Sequence, residues 1–172
     1  MYNSLELIEL LKKEKYEIKV HQHDALFTVE DSKKLRGEID GAHSKNLFLK
    51  NKKNEFFLLS CEEADKIDLK KISKSLELGN ISFAKQAYLE KYLKIKPGSV
   101  SPFALLNDNG SFVNFYLEKT LYESKFLNFH PLINTFTITI ETDNFIEFMI
   151  ENNKKIHIFS SAEGNIVETY EK

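Results

Sequence analysis

The sequence predicts a mixed α/β (α+β) fold on a mixed, mostly antiparallel sheet, and three observations predict it. Leu47-Phe-Leu49 and Phe56-Phe-Leu-Leu59 flank the polar turn Asn51-Lys-Lys-Asn54, the pattern of a hairpin of two buried strands. Ala104-Leu-Leu106 and Phe112-Val-Asn-Phe115 flank Asn107-Asp-Asn-Gly110 in the same way. Around them apolar residues recur at helical spacing. Hairpins thus interleave with helices, without the regular strand–helix alternation of a doubly wound sheet.

Each element has its own signal. Leu5, Leu7, Ile8, Leu10 and Leu11 form one helical face, with Asn3 and Glu6 spaced as a capping pair. Ile18-Lys-Val-His21 alternates as a short strand, and Thr28 is placed to cap a short helix to about Leu35. After the first hairpin, Ser82 opens an amphipathic helix to about Tyr92. Following the second hairpin, Phe136-Thr-Ile-Thr-Ile140 alternates as a strand, and Asp143 caps a helix to about Glu151. Lys155-Ile-His-Ile-Phe159 reads as the closing strand, and the polar C-terminus is expected to fray. The 14 Phe residues, in a chain with no Trp, read as core filling.

A chain of 172 residues, 42% hydrophobic, can bury one substantial core, so residues 1–172 are expected to form one domain. A net charge of -2 and a pI near 6.2 argue against a generic nucleic-acid binder and leave room only for local RNA contact. The single cysteine, Cys61, excludes an internal disulfide and fits a reducing compartment. No signal-peptide pattern opens the chain and no apolar run is long enough to span a bilayer, so a soluble cytoplasmic protein is expected.

Metal-site spacing is absent, and His21 and His23 read as facing opposite sides of their strand. There is no GxSxG elbow and no Walker A loop. Cys61 has no base marked for it and reads as a structural thiol at a strand end. Two proline segments remain, Gly98-Ser-Val-Ser-Pro102 and His130-Pro131-Leu-Ile-Asn134. Each proline fixes its own φ and pushes the preceding residue toward an extended conformation, so both loops are shaped in advance. Lys45-Asn46 stands at the start of the apolar strand Leu47–Leu49, where an ammonium can sit over a pocket and hold a phosphate or ester oxygen. Either loop alone is an ordinary turn; with Lys45-Asn46 they point to an enzyme acting on a small polar group.

Gly41-Ala-His-Ser-Lys45-Asn-Leu-Phe-Leu49, Lys96-Pro-Gly-Ser-Val-Ser-Pro-Phe-Ala-Leu-Leu-Asn-Asp108 and Asn128-Phe-His-Pro-Leu-Ile-Asn-Thr135, together with Phe27-Thr-Val-Glu-Asp31, resemble the YbaK/ProX editing-domain family over nearly the whole chain. The likeness is to its freestanding members that deacylate alanyl-tRNA(Pro). The resemblance implies a compact α/β domain with a barrel-like sheet around one pocket. It also implies hydrolysis of an aminoacyl ester on the 3′-terminal adenosine of tRNA, without a cofactor or metal. Lys45 would bind the terminal phosphate or ribose and orient the ester, with Asn46 supporting it. Main-chain groups around Gly98, with Ser99 and Pro102 of the GxxxP loop, would hold the attacking water or the substrate amino group. His130 would line the aminoacyl pocket, with Asn134 bracing its loop and Asp108 shaping it. Phe27, Thr28 and Val29 would wall the pocket or pack the core. His43-Ser44 and Ser101 are small departures from the family pattern.

A pocket of this kind admits alanine and rejects the proline ring by size. The implied partner is the tRNA acceptor end, not DNA or a membrane, with prolyl-tRNA synthetase or an elongation factor as a further partner; a monomer is expected. Lys33, Lys34 and Arg36, or Lys50, Lys52 and Lys53, are placed to touch the acceptor stem or to be solvated faces. Two other readings stand beside this one: a deacylase of another misacylated tRNA such as cysteinyl-tRNA(Pro), and a non-catalytic module that binds the tRNA end.

Overall fold

The computed structural model describes residues 1–25 and 39–172. Phe27, Thr28, Val29, the helix expected after Thr28, and Lys33, Lys34 and Arg36 lie outside the described residues. Helix α1 (Ser4–Lys13) starts where the sequence puts it: Asn3 accepts from the Glu6 amide, and the Glu6 carboxylate accepts from the Asn3 amide. Strand β1 (Ile18–Gln22) follows. The first hairpin is β2 (Ala42–Lys50) and β3 (Phe56–Glu62), antiparallel through Lys45↔Cys61, Asn46↔Ser60 and Leu49↔Phe57. Lys45 therefore sits three residues inside β2, not at its mouth.

Helix α2 (Leu69–Ser75) is capped by the Asp68 carboxylate, which accepts from the Lys70 and Lys71 amides. Ser82 does not open the next helix. Ser82 and Phe83 form the two-residue strand β4, pairing with Lys50 and Leu49, and helix α3 runs from Gln86 to Leu93. Backbone pairing to the free edge of β2 outcompetes the cap. The second hairpin is also corrected. Ser101 Oγ accepts from the Phe103 amide and Pro102 occupies the first turn, so Pro102–Asn107 winds into a buried 3-10 helix instead of a strand. A short apolar run carries no period that separates helix from strand. Only β5 (Val113–Glu118) is extended, and the turn before it is fixed by Asp108 Oδ2 accepting from the Val113 amide at 2.8 Å.

Helix α4 (Lys119–Tyr122), β6 (Phe126–Phe129) and β7 (Phe136–Glu141) come next. Helix α5 (Thr142–Glu151) begins with Glu141 at its N-cap, and Asp143 lies in the first turn beside the helix dipole without capping it. β8 (Ile156–Ser160) is not the last strand. The C-terminus, rather than fraying, forms β9 (Asn165–Tyr170), antiparallel to β8.

The strands form one nine-stranded sheet in the order β1-β7-β6-β2-β3-β5-β8-β9, with β4 beside β2. Antiparallel pairs outnumber parallel ones, which are β2/β6, β3/β5 and β5/β8. The sheet is open where a barrel-like closure was expected. Its path ends at β1 and β9, which do not pair, and β9 exposes most of its residues.

Both faces of the central strands are buried. Phe56 and Leu58 of β3, Phe115 and Leu117 of β5, and Ile156 and Ile158 of β8 join Leu7, Leu89, Phe103, Phe145 and Phe148 in the larger core. The alternate residues Phe57, Leu59, Tyr116 and Phe159 pack with Ile72 of α2 in a smaller one. The near-continuous hydrophobic runs in β3 and β5 follow from this two-sided burial.

Candidate functional site

The pleat of β2 assigns its residues to faces. Phe48 packs in the larger core and Leu49 in the smaller, so Ser44 and Asn46 share the larger-core face, and His43, Lys45 and Leu47 the other. Lys45 and Asn46 thus leave the strand in opposite directions. The Lys45 ammonium donates to the Glu63 carbonyl at 3.3 Å and to the Asp65 carbonyl, both in the segment after β3. Among the described residues these two bonds use two of its three N–H groups. Asn46 instead locks the strand pair: Ser60 Oγ donates to its Oδ1 at 2.5 Å, and its Nδ2 donates to Ser44 Oγ at 3.3 Å.

Cys61 lies opposite Lys45, fully buried, with Sγ 3.8 Å from the Lys45 carbonyl. Burial pushes its thiol up to about 12, against the pull of the Lys45 ammonium. It is a packed thiol rather than a nucleophile.

His130 reaches the Lys45 end of the sheet through β6. The parallel register Ala42↔Leu127 and His43↔Asn128 puts Asn128 on the Lys45 face, and His130, two residues on, continues that face. His130 Nδ1 donates to the Phe136 carbonyl at 2.8 Å, which leaves Nε2 as an acceptor. Burial lowers its pKa below the usual imidazole value, the Phe136 bond opposes that, and nearby His23 adds to it. The loop beyond is shaped by Pro131: the Leu132 amide donates to the His130 carbonyl at 3.0 Å, and Leu132 takes φ +66. Asn134 is buried on the return to β7.

Beneath β6, Phe103 meets Phe129 edge-on with centroids 6.0 Å apart, which brings Ser101 and Pro102 to the same end of the sheet as His130. Ser99 and Ser101 are buried, and Ser101 is spent on its cap. Gly98 sits at φ +85 in a tight turn closed by the Ser99 amide on the Lys96 carbonyl at 3.2 Å, with Pro97 before it. Proline followed by a positive-φ residue is the requirement of a type II turn, which glycine meets without strain. Asp108 is not part of this group. It lies by Val113, which pairs with Phe56, whereas Lys45 pairs with Cys61, about 17 Å away along β3. Asp108 braces the 3-10 helix against β5, and its carbonyl accepts from Lys154 Nζ at 2.8 Å.

Sequence reasoning missed the buried polar network behind Lys45. Thr139 Oγ1 donates to Asn128 Oδ1 at 2.6 Å and so accepts from His21 Nε2 at 3.1 Å. Asn128 Nδ2 donates to the Asp40 carbonyl at 2.9 Å and the Ala42 carbonyl at 3.3 Å, and its own carbonyl accepts from Ser44 Oγ at 3.0 Å. These bonds fix the chain as it enters β2. His21 and His23 share one face, contrary to expectation, because residues two apart on a strand point the same way. His23 bonds Thr137 Oγ1 at 2.9 Å, and its ring lies 5.9 Å from that of His130. The signal for this network was the pair Thr137 and Thr139 in β7, both buried. No cluster of three or more His, Cys, Asp or Glu suited to a metal occurs among the described residues.

An open mixed sheet flanked by helices, with pre-shaped proline loops and a carbonyl-anchored lysine, defines an α/β domain whose fold recurs in solved structures. A solved structure described as a candidate trans-editing enzyme for prolyl tRNA synthetase superposes with a TM-score of 0.66 at 16% identity, covering 91% of this chain and 96% of the other. The aminoacyl-tRNA editing domain model matches residues 23–148, and the chain belongs to that family. It is 32% identical over 133 residues to "Prolyl-tRNA editing protein ProX" of Acetoanaerobium sticklandii, covering 77% of this chain and 80% of that protein. It is 35% identical over 133 residues to "Prolyl-tRNA synthetase associated domain-containing protein 1" of Xenopus laevis, covering 74% and 79%. Among the described residues no helix is long and apolar enough to cross a membrane.

Proposed function

We propose that this chain is a single-domain, cytoplasmic trans-editing deacylase that hydrolyses alanine mischarged onto tRNA(Pro). The observation that supports the reading is Lys45, held by the Glu63 and Asp65 carbonyls on the face of the sheet that the β2/β6 register shares with His130. The third ammonium N–H would take a phosphate or ester oxygen of the 3′-terminal adenosine. A water oxygen would attack the ester carbonyl carbon, and the bond from that carbon to the ribose 3′-oxygen would break. The oxygen leaves with a proton, giving alanine and tRNA with a free 3′-hydroxyl. An aminoacyl ester is already activated, so positioning and charge stabilisation suffice without a protein nucleophile. The inert Cys61 agrees with this. Neutral His130 offers Nε2 as an acceptor, suited to the substrate's amino group in a pocket wall.

The test is deacylation of tRNA(Pro) charged separately with alanine, cysteine and proline, beside Lys45→Ala. The expected result is loss of alanine alone, with the variant slowed about 100-fold or more. Loss of cysteine instead would change the substrate. No hydrolysis of any ester, with tRNA still bound, would leave a binding module. Unchanged turnover in Lys45→Ala would remove the lysine from the site.

A further inference from the structure

We infer that the rim at the far end of β2 from Lys45 is an RNA-docking surface for the body of the aminoacyl-tRNA; this rests on the editing reading above. Three segments meet at the turn between β2 and β3. Asn51 fixes the turn by accepting from the Lys53 and Glu55 amides at 2.9 and 3.0 Å. Its Nδ2 donates to the Leu78 carbonyl at 2.9 Å, tying in the segment after α2. Lys50 lies 5.2 Å from the ring centroid of Tyr88 and so ties in α3.

Charge and aromatic surface coincide here. Residues 50–55 and 85–96 carry seven lysines against Glu55 and Glu90, in a chain whose net charge is -2. All of these lysines except the half-buried Lys50 are exposed. Helix α5, by contrast, carries Asp143, Glu147 and Glu151 and no lysine or arginine. The rim thus carries a net excess of positive charge, although the total charge of the chain is slightly negative. Tyr88 and Tyr92 lie 6.4 Å apart and within 12° of parallel, and Lys91 stands 4.9 Å over Tyr92. Phe112, 5.4 Å from Tyr92, is 59% exposed.

Lysines interleaved with accessible rings match a polyanion that also offers flat bases. The ammonium groups meet phosphates, and a ring of Phe112 type takes an unpaired base by stacking. Lysines that only cover apolar rings would give the same geometry without salt-dependent binding. From Lys45 to Lys50 the strand covers about 17 Å, so one tRNA can reach both ends of the sheet.

The experiment measures uncharged tRNA binding by fluorescence anisotropy over a NaCl series, with deacylation kinetics on the same proteins. The variants are Lys52→Gln/Lys53→Gln/Lys91→Gln, the matching triple arginine protein, and Phe112→Ala. The glutamine triple should weaken binding about 10-fold at low salt and reduce the slope of log K against log salt by about 2 to 3. It should raise KM by a similar factor and leave kcat unchanged, and the arginine triple should restore both. Phe112→Ala should cost about 5-fold in affinity with no change in slope. A slope and KM that do not move in the glutamine triple overturn the surface, even where alanine hydrolysis is intact. A slope that falls in a protein hydrolysing no ester supports the surface and sinks the editing reading alone.

Discussion

Asn128→Ala isolates the network that holds Lys45 in place. The side chain is buried and makes three hydrogen bonds, to Thr139 Oγ1, the Asp40 carbonyl and the Ala42 carbonyl. Each net bond is worth about 1 kcal/mol, so their loss costs about 3 kcal/mol. The bond from Ser44 Oγ goes to the main chain and survives the substitution. For a chain of this size each kcal/mol lowers Tm by about 2–4 °C, which gives a fall of roughly 6–12 °C. Thr139→Val removes two bonds, the one to Asn128 Oδ1 and the one from His21 Nε2, at about 2 kcal/mol or more. Since Asn128 and Thr139 share the first of these, the double variant should fall short of additivity by about 0.5 kcal/mol or more. Thermal and urea unfolding monitored by circular dichroism measure all three. A fall under about 2 °C for Asn128→Ala, or strict additivity, would mean that water replaces these bonds and that the network does not organise β2.

Two further outcomes follow from the same region. Burial lowers the pKa of both His130 and His21 in the folded protein. Their contribution to stability is therefore complete above an unfolded value of about 6.5, and it is lost as pH falls from there through the lower native values. Urea midpoints at pH 7.5, 6.5 and 5.5 should decline, and His130→Gln should flatten the trend; a midpoint that rises on acidification contradicts the assignment. Gly41 sits at φ +100, and a Cβ there would lie 2.8 Å from the Phe126 carbonyl oxygen and Cβ. Gly41→Ala should cost about 2 kcal/mol or more by calorimetry, and a neutral result would show that the turn before β2 can rearrange.

Elements with a long period or a local chemical signature were legible in the sequence. The capping box of α1, the β2/β3 hairpin and the alternation of β7 all stand where their residues imply. The failures share a cause. Ala104-Leu-Leu106 is too short to show a period, and Pro102 with Ser101 decided the matter in favour of a 3-10 helix. Ser82 and the C-terminal segment were read from local propensity, whereas the open edges of β2 and β8 recruited them into the sheet. The site was legible as three motifs but not as an arrangement. Strand pleat separates Lys45 from Asn46 once β2 is known to start at Ala42, and register, invisible until pairing is known, removes Asp108 from Lys45. Asn128 opens the third motif without a role assigned to it, and Thr139 carries no motif, since a buried threonine on a strand looks like an ordinary β-former until its partner is placed.

The division of β2 into two faces also constrains how any substrate must lie. Lys45 and His130 belong to one face of the sheet, and the 3-10 helix that delivers Pro102 packs beneath the other. Farther along the strands each face is sealed by its own core, so nothing can pass between them there. The two faces come together past the end of β6, where the parallel register carried on from His43↔Asn128 sets His130 beside Lys45 and the strand gives way to the His130-Pro131 turn. A ligand that touches both the lysine and the GxxxP loop has to straddle that end. A terminal nucleoside bearing a small acyl group has the right form for this, with the sugar and phosphate on one side and the acyl group on the other. If the proposed function holds, Gly41, Asn128 and Thr139, which fix β2 against β6 and β7, should affect turnover as well as stability. A shift of β2 by a fraction of its pleat would carry Lys45 away from His130 while leaving every core contact farther along the strand in place.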